Sequence, residues 1–229
     1  MVNIYGVKLL DELRFLEIKG LVSAYLPDDS SKKASSFKHA VDAQRQIIGE
    51  LLARATLSST FKLANSDIRF QYSEHKKPYL ENQRDMYFNI SHSGEWVVCA
   101  LSRKEVGVDV EKIRKINFNI ARRFFSADEV GHLFSLPEKQ QLDYFFDLWT
   151  LKESYLKTLG TGLTKPLSSF TVSEEFGVPK LHEGGKGLDV YLKKYNLDSR
   201  HKLSACAFEG DFCENIERLF IDDLLRMIE

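Results

Sequence analysis

Two carboxylates stand two residues apart in the run Val106-Gly107-Val108-Asp109-Val110-Glu111. Side chains alternate along a strand, which sends the valines to one face and Gly107, Asp109 and Glu111 to the other. Positions two apart on one strand face have Cα atoms about 6.5 Å apart. That is close enough for both acids to converge on one hard cation such as Mg²⁺. By itself the strand fits a simpler picture better, with valines inside and both acids in water, as on any half-exposed antiparallel strand.

A helix through Trp149-Thr150-Leu151-Lys152-Glu153-Ser154-Tyr155-Leu156-Lys157 stacks Trp149, Glu153 and Lys157 on one face, with opposite charges side by side. Standing alone, Glu153 and Lys157 form a routine i, i+4 pair. Beside Asp109 and Glu111, a third carboxylate and a lysine point to a metal and a phosphate. In Phe88-Asn89-Ile90-Ser91-His92-Ser93-Gly94 a strand ends in a small, polar, glycine-bearing turn. Its backbone N–H groups, hydroxyl and imidazole suit phosphate oxygens. Adjacent Ser91 and His92 do not easily form a nucleophile–base pair, and a lone turn histidine is more often a structural hydrogen-bonder. Ser126-Ala127-Asp128-Glu129 fits a capping box, which makes a structural role the better reading for Glu129.

The chain that must position these groups has 229 residues, enough for one large domain or two small ones. Its 32 basic and 33 acidic side chains nearly cancel, which argues against wholesale nucleic-acid wrapping. Cys99, Cys206 and Cys213 have no CxxC spacing and fit a reducing compartment. The N-terminus meets Lys8 and Asp11 too early for a secretory segment, and no apolar run reaches membrane-spanning length. The reading is a soluble cytoplasmic protein.

Pattern predicts a strand over 4–9, a helix over 11–24 with Leu13, Leu16 and Leu21 inward, and a polar, locally basic stretch over 30–39. A helix over 40–57 carries the stripe Val41, Ile47, Ile48, Leu51, Leu52 and Ala55. A strand over 68–72 precedes a turn at 76–78. Strands at 86–90, 96–101 and 106–111 read as one antiparallel meander. Helices follow at 118–124, from Ser126, and over 142–159, then weaker strands at 169–172, 188–191 and 203–208. Without strict βαβ alternation the class is α+β, with a division near residue 104 into halves 1–104 and 105–229. The acidic end, with seven acids against two arginines over 209–229, has no assigned role.

Taken in order, these segments resemble the Sfp-type 4'-phosphopantetheinyl transferases. The matching pieces are Lys77-Pro78, Phe88 to Gly94, Gly107 to Glu111, Arg123-Phe124-Phe125-Ser126 with Glu129, and Trp149-x-x-Lys152-Glu153-Ser154-x-x-Lys157. The likeness runs from the first strand to about Phe208. It implies a pseudodimer of two similar α/β halves, each an antiparallel-rich sheet packed with helices, acting as a monomer. The implied activity moves the phosphopantetheine arm of coenzyme A onto a serine of an apo acyl or peptidyl carrier protein of nonribosomal peptide, polyketide or fatty-acid synthesis. Adenosine 3',5'-bisphosphate is released.

By the same resemblance, Asp109, Glu111 and Glu153 hold Mg²⁺ (or Mn²⁺) against the pyrophosphate, with Lys157 beside it. Ser91 and His92 meet the nucleotide phosphates, Lys77-Pro78 the adenine side, Lys33 and Arg45 the 3'-phosphate, and Lys152 belongs to the coenzyme-binding set. The half 1–104 becomes the nucleotide side and 105–229 the metal, pyrophosphate and carrier side. Lys112, Arg114, Lys115, Arg122 and Arg123 become a landing surface for acidic carriers. Glu153 is the first choice as base and Glu111 the second. Departures from the family pattern are Lys76 in place of a glycine, Ser30, Ser35 and Ser36 in place of basic residues, and Gln46 in place of a hydroxyl. A Mg²⁺-dependent nuclease is the rival enzyme, but such sites place a lysine two residues after an acid and Ile113 stands there. A catalytically dead carrier binder is disfavoured by the intact acids.

Overall fold

In the computed structural model the described residues are 1–229, excepting the side chains of Ser31, Lys33, Ala34, Ser35 and Leu163. The N-terminal half runs β1 (Asn3–Lys8), α1 (Glu12–Ser23), α2 (Asp28–Ser35), α3 (Ala40–Phe61), β2 (Phe70–Tyr72), β3 (Pro78–Leu80), β4 (Tyr87–Ser93) and β5 (Trp96–Ser102). The C-terminal half follows with β6 (Val106–Lys112), α4 (Asn119–Phe124), α5 (Ala127–Ser135), α6 (Glu138–Leu159), β7 (Thr171–Glu175), β8 (Val178–Glu183), β9 (Lys186–Gly187), β10 (Tyr191–Asp198) and β11 (His201–Ala207). β12 (Glu217–Leu219) and α7 (Ile221–Ile228) then return to the first half.

Each half lays a 22-residue helix, α3 or α6, against its own sheet. The sheets have strand orders β12-β1-β5-β4 and β10-β11-β6, antiparallel except for β1 with β12. The class is thus α+β and the arrangement a pseudodimer, as the sequence implies. β5 is buried along its whole length because both faces are covered. Val97, Cys99 and Leu101 join the core under α3, while Trp96, Val98 and Ala100 meet Val106, Val108 and Val110 of β6 in a core shared by the two sheets.

Several expectations change. β6 is not the third strand of a meander: β5 is already paired on both edges, by β1 and β4, so β6 pairs with β11 instead. Leu13, Leu16 and Leu21 are exposed at 76%, 61% and 53%, because α1 turns its Phe15–Ile18–Val22 face (i, i+3, i+7) to the core. Val41 is likewise exposed, while the rest of its stripe is buried. The polar stretch after residue 27 forms α2, with Asp28 and Asp29 at its positive end. The long helix α6 starts earlier than expected, at Glu138. The strand expected at 188–191 begins instead at Tyr191. The acidic end is an integral helix: Ile221, Leu224 and Ile228 of α7 bury into the first core.

A polar clasp ties the two hairpin ends together. Asp198 accepts from Trp96 Nε1 (2.8 Å), sits 2.9 Å from His201 Nδ1, and caps the Arg200 amide at 2.8 Å. Glu95, on the turn after β4, meets His201 Nε2 at 3.4 Å, Lys112 at 3.3 Å, and Arg200. Burial pushes the Asp198 carboxyl up, but its hydrogen bonds with His201, Trp96 and the Arg200 amide outweigh that and hold it well below the usual carboxylate range. A depressed carboxyl contributes stability that is present above its unfolded pKa and is lost as pH falls. Asp198→Asn is therefore expected to melt lower than the parent at pH 7 and to lose less of its stability below about pH 4. Thermal melts between those values check this.

Candidate active site

The site begins with a glycine. A Cβ on Gly107 would lie 2.1 Å from Ser154 O and 2.4 Å from Thr158 N, both backbone atoms of α6. Only a residue without a side chain lets the strand press this closely on the helix, and the next residues on that face, Asp109 and Glu111, are thereby brought against Glu153 and Lys157. The outer edge of β6 is closed from the other half by side chains. Asn89 Oδ1, Ser91 Oγ and Ser93 Oγ accept from Val108 N (2.9 Å), Val110 N (3.3 Å) and Lys112 N (3.0 Å). Three alternate residues of β4 thus do the work of a strand partner, because buried backbone amides require acceptors.

Between these elements lies a cleft of about 350 Å³ lined by Ile90, Ser91, His92, Asp109, Val110, Glu111, Trp149, Glu153 and Lys157. Lys157 Nζ donates to Asp109 Oδ1 at 2.6 Å and to Ser91 Oγ at 2.9 Å, and Ser91 Oγ donates to the same carboxylate oxygen at 3.1 Å. Burial pushes the Asp109 carboxyl up and Lys157 pulls it back. Asp109 Oδ2 is buried with no hydrogen-bond partner among the described residues. Glu111 accepts from Ser93 Oγ at 2.9 Å and from Arg114 at 3.3 Å. Glu153 has neither kind of partner among the described residues; burial first, and then the charge of Asp109, raises its pKa.

An all-oxygen donor set with one orphaned buried oxygen and two carboxyls raised by burial fits a hard divalent cation. Among the described residues, though, the trio of potential ligand atoms within 4.8 Å of one another is Glu95, Asp198 and His201. Asp109, Glu111 and Glu153 share a cleft in which Lys157 is the cation held.

In the first half, Arg45 donates to Asp42 (2.9 Å) and Gly94 O (2.7 Å), while its buried Nε is unpartnered among the described residues. His92 is exposed, yet desolvation and the charges of Arg45 and Lys157 push its imidazole below the ordinary value. The Ser91 hydroxyl is fully engaged, with Asp109, Lys157 and Val110 N. The side chain of Lys33 lies outside the described residues.

Two residues of the coenzyme-binding set turn their ammonium groups into the fold. Lys152 is fully buried, its Nζ held by both Glu129 oxygens (2.6 and 2.7 Å) and Phe170 O (2.6 Å). One residue before Glu153, it lies about 100° around the helix and faces α5 rather than the cleft. Lys77 turns its ammonium into the fold, to Val106 O and Thr158 O, while Pro78 opens β3 opposite Tyr72. Glu129 keeps the expected capping box and adds the Lys152 pair and Val172 N. Asn89 and Ser93 were missed as seam residues. Their signal was present, a period-2 run of small polar side chains at 89, 91 and 93 on one strand face.

The two halves also match separately. Residues 18–104 match the N-terminal region of 4'-phosphopantetheinyl transferases, and residues 105–206 match the 4'-phosphopantetheinyl transferase superfamily. The chain belongs to that family. It is 36% identical to the 4'-phosphopantetheinyl transferase Sfp of Bacillus subtilis strain 168, over 97% of this chain and 100% of that one. It is 33% identical to the 4'-phosphopantetheinyl transferase gsp of Aneurinibacillus migulanus, over 99% and 95% respectively. Among solved structures, a holo-[acyl-carrier-protein] synthase of Thermotoga maritima aligns at a TM-score of 0.39 and 22% identity, over 47% of this chain and 64% of that one.

Gly107→Ala is expected to destabilise the fold by about 3 kcal/mol or more, since the new methyl meets backbone rather than a yielding side chain. Urea unfolding against the parent measures it, and Gly131→Ala, on open surface, is the control expected to show no such loss.

Proposed function

We propose that this chain transfers the 4'-phosphopantetheine moiety of coenzyme A to a serine of apo acyl or peptidyl carrier proteins. The observation that carries the reading is one cleft, at the seam of two transferase halves, in which Asp109, Glu111, Glu153, Lys157 and His92 converge. The serine oxygen bonds to the pantetheine-side phosphorus, the bridging P–O bond breaks, and adenosine 3',5'-bisphosphate leaves. Such a displacement asks mainly for positioning and charge neutralisation. Lys157 neutralises charge on the departing phosphate. Glu153, raised and unpartnered, takes the serine proton, directly or through a water; Glu111 is less free because Ser93 and Arg114 occupy it. Asp109, Glu111 and Glu153 would hold Mg²⁺ or Mn²⁺, which when bound supplies further neutralisation of the diphosphate.

The division of labour follows the two halves. Residues 1–104 supply the nucleotide side, through Arg45, His92 and Lys33, and residues 105–229 supply the acids, Lys157 and the carrier surface. Exposed Arg114, Lys115, Arg122 and Arg123, with Arg122 over the exposed Phe134 ring, offer cationic and apolar groups suited to an acidic carrier domain. The protein works as a monomer in the cytoplasm; no helix among the described residues is long and apolar enough to cross a membrane.

The decisive experiment mixes the protein with fluorescent coenzyme A, Mg²⁺ and a panel of apo carrier domains. Label is expected on carrier serines, absent with a carrier Ser→Ala variant and absent with excess chelator. Asp109→Ala and Glu153→Ala are expected to lose at least about a hundredfold in rate with circular dichroism unchanged; full activity in either overturns the assignment. Carrier modification is expected to slow as ionic strength rises, and a salt-independent kcat/KM for the carrier argues against the basic surface.

A further inference from the structure

Lys77 is joined to both halves at once. Its backbone is fixed in the turn before β3: Lys77 N donates to Ser73 Oγ (3.1 Å), Ser73 N donates to Lys77 O (2.9 Å), and Lys76 takes the left-handed corner at φ 62°. From this base the side chain crosses Gly160, the left-handed C-terminal cap of α6, where an added Cβ would lie 3.2 Å from Lys77 Cδ. The bare glycine therefore serves both the helix end and the passage of the lysine.

The ammonium then donates to Thr158 O at 3.0 Å and Val106 O at 3.2 Å. Thr158 lies in the last turn of α6, where carbonyls lack a helical amide to accept from and a cation meets the negative end of the helix. Val106 opens β6. One side chain from the first half thus grips the end of the helix carrying Glu153 and Lys157 and the start of the strand carrying Asp109 and Glu111. Burial, opposed by the charge of Glu105, pushes this ammonium down to about 8, a cost the fold bears for the contact.

We propose that Lys77 is a positioning residue for phosphopantetheinyl transfer, holding the last turn of α6, and with it Lys157, in register with Ser91 and His92 of the other half. The inference rests on the transferase reading above. Lys157 is the immediate neighbour of Thr158 and spans to Asp109 and Ser91, so a shift of the helix end moves the lysine off its partners. Misplacement of a reacting group by about 1 Å is worth up to a hundredfold in rate.

The test uses the full chain and two variants: Lys77→Met, which keeps the stem and removes the donors, and Ser73→Ala, a milder change that removes only the acceptor of Lys77 N and keeps the ammonium. Coenzyme A affinity by calorimetry, steady-state transfer to an apo acyl carrier protein, and hydrogen exchange at residues 157–160 are measured together. In Lys77→Met, kcat is expected to fall about tenfold or more with coenzyme A affinity within about twofold. Exchange is expected to quicken at 157–160 but not along α3. Ser73→Ala is expected to move the same way by less. Weaker coenzyme A binding with kcat unchanged makes Lys77 a nucleotide contact and overturns the proposal. So does unchanged kcat alongside faster exchange, which makes the lysine merely structural. A wild-type chain that transfers to no carrier sinks the transferase reading instead; exchange then judges the clamp alone, and unchanged rates at 157–160 overturn it.

Discussion

The site depends on the backbone of β6 touching the backbone of α6. At Gly107 there is no room for a methyl group, and that contact sets the distance between the two elements for the length of the cleft. From it follows the placement of Asp109 and Glu111 opposite Glu153 and Lys157. The far edge of β6 is then served by Asn89, Ser91 and Ser93, side chains standing in for a strand. A side-chain seam of this kind leaves more space than a backbone ladder does, and the cleft occupies that space.

α6 carries two lysine–carboxylate pairs with opposite fates. Lys152 is sealed from solvent between both oxygens of Glu129 and a carbonyl, so every donor is satisfied and the charge has nothing else to meet. A buried pair of this completeness is structural, and removing either partner leaves an uncompensated charge. Lys157 is 28% exposed, and its carboxylate partner keeps one oxygen free of any partner among the described residues. Incomplete pairing leaves the second pair with capacity for a further partner. Five residues at about 100° each put the two lysines about 140° apart around the helix, and that separates the two roles.

The same economy explains the clasp at the other end of the sheets. His201 lies between Asp198 and Glu95, with Arg200 and Lys112 balancing the acids, so charge is neutralised where the hairpin ends meet and the halves are pinned at the opposite end of β6 from Lys77. Between the two ties, the valine face of β6 packs against Val98 and Ala100. The cleft is therefore held by contacts that carry no chemistry of their own.

Much of this was legible in the linear chain. Strand alternation put Asp109 and Glu111 on one face, helical periodicity put Trp149, Glu153 and Lys157 on another, and the spacing of five motifs named the family. Those signals are local, depending only on the periods of two and 3.6 that backbone geometry imposes. What local period cannot decide is which edge a strand pairs with, which phase of a leucine-rich helix faces inward, and where a long flexible side chain spends its charge. The partner of β6, the outward leucines of α1, and the inward ends of Lys77 and Lys152 were each settled by groups distant in sequence competing for the same space or the same donors. Only the assembled tertiary structure holds that information, because burial and pairing are properties of neighbours rather than of residues.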